Sequence, residues 1–217
     1  GGALPLELVL AARAKELEYL QSRRVYRYST MDEAMRVSRR KPLRLKWIDT
    51  NKGGEDDMKI RSRIVCTEVR RPGTEAIFAA TPPLDAMRAQ CTHAAERCDR
   101  KKRPLIMQLI DVSRAHFYAD AVRDVYIELP KEDPRSSEPG LCGKLAKTMY
   151  GTLDAAERWG EHYAAVLTRA GFTRGTASSS HFHHRRLDMW VLVHGVDFVV
   201  VSRRAGRKHI ESALRAA

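Results

Sequence analysis

Two acids set in apolar, strand-like runs constrain this chain more than any other feature. Asp111 ends the run LIMQLID at residues 105–111, and Asp197 interrupts VLVHGVDFVVV at residues 191–201. The longer run covers 11 residues, far short of the roughly 20 needed to cross a bilayer, so neither reads as a membrane span. Both runs belong to strands that pack in a core, where an unpaired carboxylate is costly. An acid in such a place pairs with a cation, sits at an exposed turn, or binds a metal. LIMQLID has the pattern of a buried central strand that delivers its acid at the end. In the second run, His194 and Gly195 are expected to form a tight turn that lifts Asp197 to a hairpin tip.

Two acids from two adjacent strand ends suit Mg²⁺, which prefers hard oxygen ligands and shares itself between one or two carboxylates, water and substrate phosphates. Enzymes of phosphoryl transfer hold two such ions about 3.5–4 Å apart. The alternative at this level is a structural acid, capped or salt-bridged.

The other segments set the architecture. Residues 5–21 have leucines at helical spacing, Leu8, Leu10, Leu17 and Leu20, with Pro5 at the first turn. Residues 43–50 and 58–68 alternate around the turn-rich NKGGEDD and read as a basic hairpin. A helix is expected over 81–98, stopped by Pro104, and another over 153–170, stopped by Gly171. Residues 130–140, with three prolines, form a loop; HFHHRRLDMWVLVHGVDFVVV reads as successive short strands and the tail from Lys208 as helix. No repeat or linker divides the chain, so one folding unit is expected.

Charge names a class of partner. The 39 Lys and Arg against 27 Asp and Glu leave a net charge of +12, which favours a polyanion because neutralised phosphates release condensed counterions. A solvated basic surface is the plainer reading. The four cysteines, Cys66, Cys91, Cys98 and Cys142, are too few and scattered for a disulfide framework, which points to the cytosol or nucleus. Glu7 breaks the opening apolar run, so that stretch does not read as a signal peptide. His181, His183 and His184, or Cys91, His93 and Cys98, do not make a convincing zinc set of four, and Cys91 and Cys98 are expected to pack. Trp47, Trp159 and Trp190 lie in apolar periodic patterns and are expected in the core rather than against bases.

The order of segments resembles the reverse transcriptase domain of copia-type retrotransposons over nearly the whole chain. LRLKWIDTNKGGEDDMKIRSRIVCTE is similar to the family's fingers hairpin, with Arg61, Arg63 and Thr67 in its basic places. FAATPPLDAMRAQCTHAA is similar to its F-A-P-V segment and helix, and LIMQLIDVSRAHFYADAVRDVYIELP to its D-V-K-T-A-F strand and the continuation ending I-Y-M-x-x-P. CGKLAKTMYGTLDAAERW resembles K-L-x-K-S-L-Y-G-L-K-Q-A-P-R-A-W, and the strands through VLVHGVDFVVVS resemble the final hairpin bearing Y-V-D-D.

The resemblance implies an α+β fold of fingers and palm, with a central antiparallel sheet backed by helices. Fingers would fall mainly in 1–104 and 124–145 and palm mainly in 105–123 and 146–217, with thumb and ribonuclease H portions absent. It implies an RNA template and DNA primer, deoxynucleoside triphosphates and Mg²⁺, in a cytoplasmic retroelement particle or the nucleus. Asp111 and Asp197 would be metal ligands and catalytic. Arg61 and Arg63 would approach the triphosphate, His116 would lie beneath the incoming sugar as a steric gate, and Tyr150 and Gly151 would line nucleotide and template.

Departures from the family pattern point to degeneracy. The final hairpin carries only one acid, Asp197; one register puts Val196 in the first acidic place and the other puts Phe198 in the second, and the former is favoured because the apolar run resumes at Phe198. An isopropyl group cannot coordinate Mg²⁺, so weak or absent catalysis is expected, and a non-catalytic nucleic-acid-binding remnant is the other reading. His116 weakens the sugar gate. Asp154 and Ala156 replace the family's glutamine and proline, and Asp154 is expected to repel nearby phosphate.

Overall fold

The computed structural model describes residues 4–54, 56–70, 81–96 and 105–216. The Phe-Ala-Ala stretch at 78–80, Arg71, Cys98 and the basic run at 99–103 lie outside the described residues. In chain order the elements are α1 (Leu6–Ser22), β1 (Tyr26–Thr30), α2 (Met31–Ser38), β2 (Leu45–Asn51), β3 (Ile60–Cys66), α3 (Leu84–Glu96), β4 (Ile106–Asp111) and β5 (Tyr126–Ile127). They continue with β6 (Leu141–Leu145), α4 (Ala155–Arg169), β7 (Thr173–Arg174), β8 (His181–His184), β9 (Met189–His194), β10 (Asp197–Ser202) and α5 (Arg207–Arg215). Helices and antiparallel sheets are mixed, an α+β arrangement. The chain falls into two compact units, Gly1–Ala76 with Ala119–Arg158, and Ile77–Tyr118 with Trp159–Ala217.

The first unit holds a three-stranded antiparallel sheet in the order β1-β6-β5 and the hairpin β2-β3. The helix α1 buries Val9, Leu17 and Leu20, while Leu8 and Leu10 stay exposed. The expected apolar face is thus corrected: Val9, Arg13, Glu16, Leu17 and Leu20 recur at three- and four-residue spacing on one side. Arg13 anchors that side, 2.8 Å from Asp49 and 3.1 Å from Glu132, and the Trp47 indole N–H donates to Glu132 at 3.0 Å.

The short helix α2 has a start signal in the sequence that the periodicity does not show. Thr30 caps it by accepting the Glu33 amide at 3.1 Å, and Thr30-x-x-Glu33 is a capping-box spacing. The proline-rich loop at 130–140 is tied down at the buried Asp133, which accepts from the hydroxyls of Tyr26 at 2.5 Å and Tyr28 at 3.1 Å and from the Arg135 amide at 2.8 Å.

The second unit is a five-stranded antiparallel sheet in the order β4-β10-β9-β8-β7. One face carries the core: Phe182, Val191, Val193, Phe198 and Val200 pack against Trp159, Tyr163 and Leu167 of α4 and Ile210 of α5. Against the other face lies α3, whose Gln90 donates to the Val199 carbonyl at 2.7 Å and meets the His181 ring nitrogen at 3.0 Å. His183 stacks on Trp190 with ring centroids 3.9 Å apart.

Three expectations are corrected here. The strand β4 is an edge strand, not a central one, with Leu109 75% exposed; the central places go to β9 and β10, whose apolar runs are buried on both faces. Cys91 is exposed rather than packed. The hairpin turn is Gly195-Val196, not His194-Gly195, because His194 closes β9 as the Cα partner of Asp197. Gly195 has φ +63°, the left-handed backbone that a two-residue turn requires at its first position.

Candidate catalytic site

Asp197 is the first residue of β10, and its Cα partner on β4 is Asp111. On the next rung the Val112 amide donates to the Val196 carbonyl at 3.1 Å. Rungs alternate in an antiparallel ladder, so Asp111 and Asp197 form a non-hydrogen-bonded pair, the kind in which side chains approach more closely. Directly opposed side chains share a face with Cβ atoms about 4.5–5.5 Å apart, and both acids are exposed. Chain-distant carboxylates therefore converge at one end of the sheet.

The turn beside them is held from the core side. The Trp159 indole donates to the Gly195 carbonyl at 2.8 Å, and the half-buried Val196 packs against the core cluster beneath the sheet. His194 extends the row on the other side of Asp197. The sequence expectation puts His194 in the turn; a two-residue Gly-x turn, which makes the flanking residues opposite partners, is the signal that places it at the end of β9. His116 lies in the 3₁₀ turn Ala115–Tyr118 directly after β4, half-buried.

Hard carboxylate oxygens on two strands suit Mg²⁺, which leaves its other positions to water and phosphate. Among the described residues no group of three or more His, Cys, Asp or Glu side chains is placed to hold a metal ion. Any ion here would rest on the Asp111 and Asp197 pair.

The remaining expected site residues lie in the first unit. Arg61 and Arg63 are two apart on β3, so they share the face opposite the buried Ser62, Ile64 and Cys66. Arg63 sits over the Tyr150 ring, 5.7 Å from its centroid. The Tyr150-Gly151 turn is stapled to the end of β3, where the Cys66 amide donates to the Tyr150 carbonyl at 2.7 Å. Gly151 has φ +83°, and a Cβ there would stand 2.0 Å from the Cys66 carbonyl oxygen. Only glycine fits so close a backbone approach.

One expectation about this turn is overturned. Asp154 is buried and does not present its charge to a phosphate. It accepts from Arg123 at 2.6 Å, and the same guanidinium forks onto Glu68 with both bonds at 2.9 Å. The Leu153 amide donates to Glu68 at 2.7 Å. Burial pushes both carboxyl groups up, but Arg123's hydrogen bonds and charge outweigh it, aided at Glu68 by the Leu153 amide, and both sit below the usual carboxylate range. Sequence alone could not find Arg123, which pairs with residues 55 positions before it and 31 after it.

No curated protein matches the chain significantly. A family profile described as reverse transcriptase (RNA-dependent DNA polymerase) matches residues 28–211. That span takes in both paired acids, the basic hairpin strand and the Tyr150-Gly151 turn, and on it the chain belongs to the reverse transcriptase (RNA-dependent DNA polymerase) family.

Proposed function

We propose that the chain is the fingers and palm portion of a copia-type RNA-directed DNA polymerase that has lost most of its catalytic power. The observation that carries this reading is the cross-strand pairing of Asp111 with Asp197. In the reaction, a primer 3′-hydroxyl loses its proton and bonds to the α-phosphorus of a deoxynucleoside triphosphate as the bond to pyrophosphate breaks. Mg²⁺ held by Asp111 and Asp197 would supply the positive charge that acidifies the hydroxyl and steadies the leaving oxygens.

The chain's own side chains do the rest. Arg61 and Arg63 offer forked guanidinium donors to the triphosphate. His116 packs against the incoming sugar, and Tyr150 with Gly151 borders nucleotide and template. The degeneracy follows from Val196. In the preferred register it stands in the first acidic place, and its isopropyl group is engaged in core packing.

The same observation favours a second reading, a non-catalytic nucleic-acid-binding remnant of such an element. Primer extension on a homopolymeric RNA template with a DNA primer, with duplex binding followed against both salt and Mg²⁺, separates the two: residual metal-dependent extension marks the first, and binding indifferent to Mg²⁺ marks the second. Little incorporation above background is expected, with duplex binding that weakens steeply as salt rises. Robust incorporation would overturn the claim of degeneracy. Binding that is insensitive to salt would overturn both readings.

A further inference from the structure

The end of the five-stranded sheet remote from the acids has the opposite charge. Arg185 and Arg186 occupy the turn between β8 and β9, Arg203 and Arg204 follow β10, and Arg207 and Lys208 open α5. All six are exposed. Strand direction brings them together: β9 leaves the 185–188 turn for the acid end, and β10 returns from Asp197 to Ser202 at the same end as that turn. The Arg203–Asp188 contact at 3.7 Å joins the turn to the segment after β10.

Among the described residues two acids contact this cluster, and both are engaged. Asp188 pairs with Arg203, and Glu211 accepts from Arg207 at 2.8 Å and from Gln108 at 2.7 Å. Arg185, Arg186, Arg204 and Lys208 have no ion pair among the described residues. Four like charges held exposed without counterions repel one another, and a polyanion relieves that repulsion while releasing its own counterions.

We propose that this basic end is a second nucleic-acid contact, one that grips the phosphate backbone of a duplex without reading bases. It rests on the reading above only for its spacing. Five strand steps separate Asp111 from Ile106, about 17 Å at roughly 3.4 Å per residue. On a duplex running along the strands, the gripped phosphates lie about 17 Å from the primer terminus.

The test is fluorescence anisotropy of a labelled RNA–DNA hybrid of 12 base pairs, with the full chain in EDTA and salt varied. The triple variant Arg185→Ala, Arg204→Ala, Lys208→Ala is compared with a control of equal charge loss in the first unit, Lys15→Ala, Arg36→Ala, Lys131→Ala. The sheet-end variant is expected to flatten the slope of log affinity against log salt by about 2 to 3, at roughly 0.9 per lost phosphate contact, while the control keeps the slope. Equal slopes for the two variants would overturn the proposal, as would salt-sensitive binding to anionic lipid vesicles with none to the hybrid. Binding is read without metal and at side chains remote from the acid pair. Failure of primer extension therefore leaves this result standing, and failure here leaves the acid pair untouched.

Discussion

Asp111 and Asp197 face each other across the narrow rung between an edge strand and its central neighbour. Like charges directly opposite on a sheet are destabilising, so the pair is retained at some expense to the fold. Replacing either acid with asparagine should stabilise the metal-free protein by about 0.5 kcal/mol at low ionic strength. Urea denaturation of Asp111→Asn and Asp197→Asn with and without 1 M salt measures this, and loss of stability in both variants would show that the acids serve as structural caps.

The Arg123 clamp should dominate the stability of the first unit. Arg123→Ala removes the cation that Glu68 and Asp154 share, at about 2–3 kcal/mol. Both carboxyl groups lie below their unfolded values in the folded chain. Their contribution is therefore full above the unfolded carboxylate range of about 3.9–4.3 and is lost as pH falls through the folded values. The wild type should lose stability on acidification below about pH 4, and Arg123→Ala should show a shallower loss in the same window. Denaturant midpoints measured from pH 7 to pH 3 decide it; parallel curves would rule out the clamp.

Gly151→Ala places a methyl group into the Cys66 carbonyl and a left-handed φ on alanine. A loss of about 2 kcal/mol or more is expected. Thermal unfolding by circular dichroism tests this, and an unchanged midpoint would mean that the turn can lift off β3.

Asp133 holds the 130–140 loop through two tyrosine hydroxyls. Burial first, and then the hydrogen bond to Asp133, push the Tyr26 phenol above its ordinary value. A group raised on folding stabilises the folded state below its unfolded pKa, and that stabilisation is lost as pH rises beyond about 10. Asp133→Ala should speed proteolytic cutting within 130–140 and bring the Tyr26 titration, followed by ultraviolet absorbance, to lower pH. Unchanged cutting and titration would contradict the role.

Periodicity and turn chemistry made much of this architecture legible. The hairpin β2-β3, the helix α4 with its stop at Gly171, and the strands β8, β9 and β10 follow from local patterns that the structure keeps. Burial at the sheet edge was not legible. LIMQLID reads the same whether its outer side meets another strand or water, and only strand order shows that Leu109 is exposed. The engagement of Asp154 is hidden in the sequence for a related reason, since its partner Arg123 is set by tertiary folding. At the acid pair, sequence supplied both residues, while the rung that joins them depends on strand order and register.

Binding of Mn²⁺ as a reporter for Mg²⁺, followed by electron paramagnetic resonance, tests the convergence of Asp111 and Asp197 most directly. A bound ion is expected that is released by Asp111→Asn and by Asp197→Asn alike, competed by Mg²⁺, and held more tightly in Val196→Asp. Binding that survives both asparagine substitutions would contradict it.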